Sequence, residues 1–106
     1  MPTLRTKTGE IVLVETLISA STSGSLTTEG KLLSPERVYR SFMASVNTGA
    51  ATLKIQVSND AVVWLDYASL SPSAGAPDGL ADECPWPFVR AVVSANTGKL
   101  TVTVGC

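Results

Sequence analysis

The chain has no histidine. The commonest general base and the commonest metal ligand are therefore both missing. Cysteine is scarce too, at Cys84 and Cys106, and their spacing fits no zinc pattern. A bridge between them would tie the C-terminus to the segment before Phe88, but two free thiols fit a chain made in a reducing cytoplasm better. There is no excess of either charge: 8 basic and 9 acidic residues leave a net −1. A chain so balanced has little with which to neutralise a phosphate backbone, so nucleic-acid binding is not expected. Apolar runs such as Ile11–Val14 are far too short to cross a bilayer, and Met1-Pro2-Thr3-Leu4-Arg5 lacks a signal core. A nucleophile built on Ser-Lys or Cys remains conceivable. However, Asp82 and Glu83 beside Cys84 would raise its thiol pKa and blunt it. The composition points away from an enzyme, from metal or other cofactors, and from membrane partners.

What the chain does have is period-two alternation. Leu53, Ile55 and Val57 alternate with Thr52, Lys54, Gln56 and Ser58, which predicts a strand with one dry and one wet face. A tight turn at Ser58-Asn59-Asp60-Ala61 follows, then a strand opened by Trp64. Ile11–Ile18 reads as a strand with apolar residues on both faces, and Ser19–Gly24 as a loop. A short strand is expected around Leu26–Thr28, with a turn at Gly30 and a stop at Pro35. From Arg37 to Asn47, Val38, Phe42, Ala44 and Val46 share a face with one polar intruder, Arg40. Phe88–Ala95 places Val89, Ala91, Val93 and Ala95 together, and Leu100, Val102 and Val104 face inward on the last strand. Asn-Thr-Gly occurs twice, at 47–49 and 96–98, and reads each time as a hairpin turn. Residues 71–87, with four of the six prolines, read as a long loop in which Leu80–Glu83 forms at most one turn.

Seven or eight short strands without a helix predict an all-β protein: a single antiparallel β-sandwich, a jelly roll or alternatively immunoglobulin-like. Residues 1–9 read as an extended arm or first edge strand, and 10–106 as the sandwich domain. The acidic group Asp78, Asp82 and Glu83 has carboxylates that would suit calcium, but its spacing fits no known loop, and a solvated or partner-facing role is the expectation. Trp64, Trp86, Phe88, Tyr39 and Tyr67 could stack on sugars, yet core or interface duty is expected of them. Trp86, held extended by Pro85 and Pro87, is the better interface candidate. Arg40 and Arg90 interrupt apolar strands and call for partners such as Asp66 or Glu36.

The string Ile55-Gln56-Val57-Ser58-Asn59-Asp60, with Trp64 and Asp66, and then Trp86-Pro87-Phe88-Val89-Arg90 through Gly98, resembles small structural proteins of tailed bacteriophages. Such chains carry V-x-x-S-N-D-G-x-x-W and P-Y-V-R strings. The resemblance spans about residues 44–105 and is strongest to the capsid decoration, or cement, proteins. Ala61 replaces the usual turn glycine and Phe88 the usual tyrosine. The resemblance implies a virion protein made in the host cytoplasm and placed on the outer capsid surface. It would bridge major capsid protein subunits as a homodimer or homotrimer. Two segments are the expected shell or self contacts: the basic arm, with Pro2, Thr3, Leu4, Arg5 and Lys7, and the loop carrying Asp78, Leu80, Trp86 and Phe88. A neck or tail component, or a carbohydrate-binding adhesion module using Trp86 and Tyr67, are the alternatives.

Overall fold

Residues 3–5, 11–33 and 37–105 are described by the structure, a computed structural model, with side chains described outside 3–5 and 11–13. Pro2, Lys7, Pro35, Glu36 and Cys106 lie outside the described residues. Ten strands and no helix are present among the described residues: β1 (Thr3–Arg5), β2 (Ile11–Ser21), β3 (Leu26–Thr27), β4 (Lys31–Leu32), β5 (Tyr39–Val46), β6 (Ala51–Ser58), β7 (Leu65–Leu70), β8 (Asp78–Glu83), β9 (Phe88–Asn96) and β10 (Leu100–Gly105). They form two antiparallel sheets. One has the order β1-β2-β10-β5-β8; the other is β3-β9-β6-β7, with β4 also pairing β9. Phe42, Val102 and Val104 from the first sheet and Leu53, Ile55 and Val89 from the second belong to one buried cluster. The expected all-β, two-sheet architecture is what the chain adopts.

The clean alternations hold. On β5, Arg40, Phe42, Ala44 and Val46 are buried, and on β10 so are Leu100, Val102 and Val104. Val38, expected on that face, stands before β5 and is exposed. The departures have local causes. On β9 the register shifts opposite Thr52/Leu53, so Ala95 leaves the core face behind Val93. On β2 shifts on both sides of Val102 let consecutive Leu17 and Ile18 both face inward. There Ala20 takes a left-handed φ of 49°, and its amide donates to the Thr101 hydroxyl at 3.2 Å. The strand thus runs through Ser21, where a loop was expected from Ser19. Ser58, expected on the wet face, is buried. Its hydroxyl accepts from the amides of Asp60 and Ala61 and donates to Asp60 Oδ1.

The largest correction lies in residues 71–87. They are not one long loop, because Asp78–Glu83 is strand β8, paired with β5 along six positions. The segment lacks the β-branched and aromatic residues that mark strands. Pairing with the open edge of β5 decides its conformation instead. Glycine at 79 is required, since a Cβ there would sit 2.4 Å from the Phe42 carbonyl oxygen.

Neither Asn-Thr-Gly turn is a hairpin. The first joins β5 to β6 and the second β9 to β10, so each arches from one sheet to the other. The arches dock on one another. Asn47 N donates to Lys99 O, Lys99 N to Asn47 Oδ1 (2.7 Å), Thr97 N to Ala50 O, and Ala50 N to Thr97 Oγ1 (2.9 Å), while that hydroxyl donates back to Ala50 O. Asn96 Nδ2 reaches Ser21 O and Ser23 O, which adds the β2–β3 connection. Ala51 N and Ala74 N bond to Pro72 O and Gly49 O, which adds the β7–β8 connection. A Cβ at Gly49, whose φ is +65°, would lie 2.0 Å from Thr97 Oγ1, and one at Gly98 2.1 Å from Thr48 O. One end of the molecule is therefore locked by hydrogen bonds between its connections.

Thr97→Val keeps the shape but removes the hydroxyl bonds, and should lower unfolding free energy by about 1–2 kcal/mol. Gly98→Ala should cost more than Thr97→Val, because backbone must move. Urea denaturation of the three proteins reads both; equal stability of Gly98→Ala and wild type would refute the docked arches.

Candidate functional site

The opposite end is built differently. The β6–β7 loop, the β8–β9 connector, the end of β4 and the starts of β2 and β5 all fall there, by strand direction. Among the described residues, six of the seven exposed large hydrophobics are at this end: Leu32, Val38, Tyr39, Val62, Val63 and Leu65; the seventh, Met43, lies mid-strand. Val62 and Val63 are 78% and 68% exposed at the loop tip. The turn expected at Ser58–Ala61 and the strand expected from Trp64 leave Val62 and Val63 between them; an apolar pair just after a turn is the signal in the sequence for this tip.

The tip is held by Asp60. Its Oδ1 accepts from Val62 N (2.9 Å), Val63 N (3.0 Å) and the Ser58 hydroxyl. The two backbone amides, Val63's foremost, hold its carboxyl below the ordinary 3.8. Ala61 sits at φ 60°, where the phage motif has glycine. The loop then lays Trp64 back over the outer face of the second sheet. Arg90's guanidinium lies 4.3 Å from the Trp64 ring centre, and a Cβ at Gly30 would meet that ring at 2.7 Å. Arg90 Nε donates to Gln56 Oε1, and Gln56 Nε2 to Asp66 Oδ1, while Lys54 Nζ donates to Asp66 Oδ2 at 3.1 Å. Asp66 is thus held below 3.8, first by Gln56 and then by Lys54. Arg90 reaches the expected Asp66 only through Gln56. The two halves of the motif string meet here, as one surface network.

The connector carrying Trp86 is held from inside. Arg40 is 1% exposed on the core face of β5. Its Nε donates to Arg37 O (3.1 Å) and its Nη1 to Trp86 O, while Cys84 N donates to Val38 O. Asp82 stands opposite it in register. Cys84 is a free, buried thiol. Burial pushes its pKa up, with Arg40 pulling the other way, so the cause is desolvation rather than the acidic neighbours expected. Tyr67 packs on Phe42 with ring centres 5.9 Å apart and extends its hydroxyl toward Asp82 and the Glu83 carbonyl; burial raises its pKa.

The expected contact residues are divided. Thr3, Leu4 and Arg5 form β1, paired with Ile11–Leu13, at the far edge of the first sheet from β8. With three strands between, the two edges are roughly 19 Å apart. Since β10 pairs β2 only from Val14 onward, the β1–β2 ribbon overhangs the sheet by about 10 Å at the exposed end. Asp78 instead serves the locked end, accepting from Ser71 N and Gly79 N, and Leu80 packs against the core. Trp86 and Phe88 are half-buried at the exposed end. The five aromatics do not form one stacking surface: Tyr39 is exposed on the first sheet, Tyr67 packs between the sheets, and Trp64 covers Arg90. The carboxylates of Asp78, Asp82 and Glu83 do not converge, and among the described residues no group could hold a metal ion.

Fold and surface together define a small all-β, two-sheet protein with one hydrogen-bonded end and one apolar end. No family model matches the chain, and no curated protein does. Two solved structures share the fold. The crystal structure of the PBSX exported protein XepA aligns with a TM-score of 0.62 and 17% identity, over 97% of this chain and 42% of that one. This chain therefore spans less than half the length of that protein. The SPBc2 prophage-derived protein YomS aligns with a TM-score of 0.64 and 12% identity, over 89% of this chain and 90% of that one.

Three outcomes follow from the groups at this end. Arg40→Met strands the Arg37 and Trp86 carbonyls, and should lower stability by about 2–4 kcal/mol in denaturant titration. Cys84 should stay unlabelled by iodoacetamide at neutral pH in the native protein and become labelled only in denaturant, as read by peptide mass spectrometry. The depressed Asp60 and Asp66 carboxyls stabilise the fold above their unfolded pKa, and that contribution is lost as pH falls below 3.8. Asp60→Asn should flatten the fall in melting temperature on acidification below about pH 4; an unchanged slope would contradict the assigned bonds.

Proposed function

We propose that this chain is a structural protein of a phage particle: a capsid decoration (cement) protein that binds the outer capsid surface and bridges major capsid protein subunits. The observation that carries this reading is the gathering of exposed apolar residues at one end, next to the overhanging β1–β2 ribbon, while the other end is closed by its own hydrogen bonds. Large apolar side chains gathered at one end in this way favour a surface that a partner covers. The fold shared with two phage-derived proteins supports the phage setting. The jelly-roll reading is supported by strand order. Leaving out β1 and treating β3 and β4 as one interrupted strand, four strands lie in each sheet, first and last are neighbours in β2-β10, and every connection but β6–β7 crosses between sheets. Jelly rolls recur among viral capsid and lectin domains.

On a shell the protein would bind at many equivalent sites, so modest single contacts sum through effective concentration. Self-association as a dimer or trimer would extend that gain. Replacing Val62 and Val63 together with serine should weaken binding to undecorated heads about tenfold or more, with little change in melting temperature, since two apolar side chains lose their burial. Deleting residues 1–8 should weaken binding and leave the sandwich folded. Co-sedimentation with purified heads measures both. Unchanged occupancy for both variants would remove the reading, and copy numbers of a few per particle would move the protein to the neck or tail.

A further inference from the structure

Between the β6–β7 loop and the Pro85–Pro87 connector lies a solvent-open pocket of about 230 Å³, with Asn59, Asp60, Val63, Leu65 and Trp86 in its walls. Its lining is mixed. Val63, Leu65 and Trp86 supply apolar surface, and Trp86 is fixed by Arg40 through its carbonyl. Asp60 and Asn59 supply the polar groups. Asp60 Oδ1 is saturated by Val62 N, Val63 N and Ser58 Oγ, whereas no described residue bonds its Oδ2. The Asn59 side chain likewise has no bond within the described residues. Neither lysine nor arginine lines the pocket, so its only full charge is the carboxylate. The pocket thus offers a slot for a hydrocarbon stem ending at a fixed, negatively charged acceptor, beside an aromatic ring.

From this complementarity we infer that the pocket receives a lysine or arginine side chain of the partner on which the apolar end docks. The stem lies along Val63, Leu65 and Trp86, and the cation meets Asp60 Oδ2 and the Asn59 amide oxygen. Lysine and arginine suit such a slot because their methylene stems bury while the charged head stays polar-bound. Once the partner covers the valines, water is displaced from around the ion pair, which strengthens it relative to an open surface pair. This inference rests on the docking reading above and supplies the specificity that apolar contact alone lacks.

The test uses the full chain in two arms. In the first, N-acetyl-lysine methylamide and N-acetyl-arginine methylamide are titrated into labelled protein, alongside a neutral methyl hexoside and N-acetyl-norleucine methylamide. The Trp86 indole resonance, assigned through Trp86→Phe, is followed. The cationic probes should move it and the Asn59 amide, and the norleucine probe should not. Movement by the hexoside alone would overturn the inference in favour of a sugar site, and movement by no probe would overturn it outright. In the second arm, Asp60→Asn keeps an acceptor for the turn amides but removes the charge, and Asn59→Lys places a competing cation in the slot. Each should weaken binding to undecorated heads about tenfold or more. Wild-type occupancy by both variants overturns the inference and leaves the docking reading standing. Failure of the unsubstituted protein to bind heads, with the probes still binding, removes the docking reading instead.

Discussion

A guanidinium buried at one end of the core organises the part of this protein that faces outward. Arg40 lies on the same face as Phe42 and Ala44, where a hydrocarbon would be expected. A charge so placed is tolerated only when its donors are matched, and it is matched by backbone carbonyls that belong to connectors rather than strands. Those carbonyls are thereby fixed. The β8–β9 connector, which has two prolines and no ladder of its own, acquires a single position, and Trp86 with it. With Cys84 a free thiol, hydrogen bonds to a buried cation anchor this end.

The molecule divides its connections between two tasks. At one end four sheet-to-sheet connections are pinned to each other by backbone and side-chain bonds, and two glycines stand where no side chain would fit. At the other, Arg40 pins connectors from the interior, while the bonds to Asp60 Oδ1 and the Trp64–Arg90 stack hold the β6–β7 loop from outside. This leaves their apolar residues facing solvent. Anchoring from beneath pre-orders this surface, so the docking proposed for it would cost little further conformational entropy. The same arrangement leaves the pocket beside Trp86 lined by apolar side chains and one oriented carboxylate.

The sequence disclosed the strands whose two faces meet different media. Leu53/Ile55/Val57 and Leu100/Val102/Val104 alternate, and the structure buries all six. It did not disclose β8, whose residues carry no strand preference and whose partner is remote in sequence. Nor did it disclose the bulges that move Ala95 outward and Leu17 inward, since a register shift is set by two strands together. Both Asn-Thr-Gly turns were visible, but not that they join opposite sheets and grip one another. At the candidate site Trp86 was legible from its flanking prolines. Val62, Val63 and Asp60 were less so, because a turn motif says where the chain reverses and not which way its tip faces. Arg40 stood out as an intruder in an apolar face; its partners are carbonyls, which leave no trace in a side-chain pattern.

Native-state hydrogen exchange at the Cys84 amide, which donates to Val38 O beside the buried guanidinium, tests this directly. If Arg40 fixes the exposed end, that amide exchanges only through global unfolding, in the same slow class as the amides of Ile55 and Val102. Exchange by local opening, at the rate of an ordinary surface connector, would contradict the account.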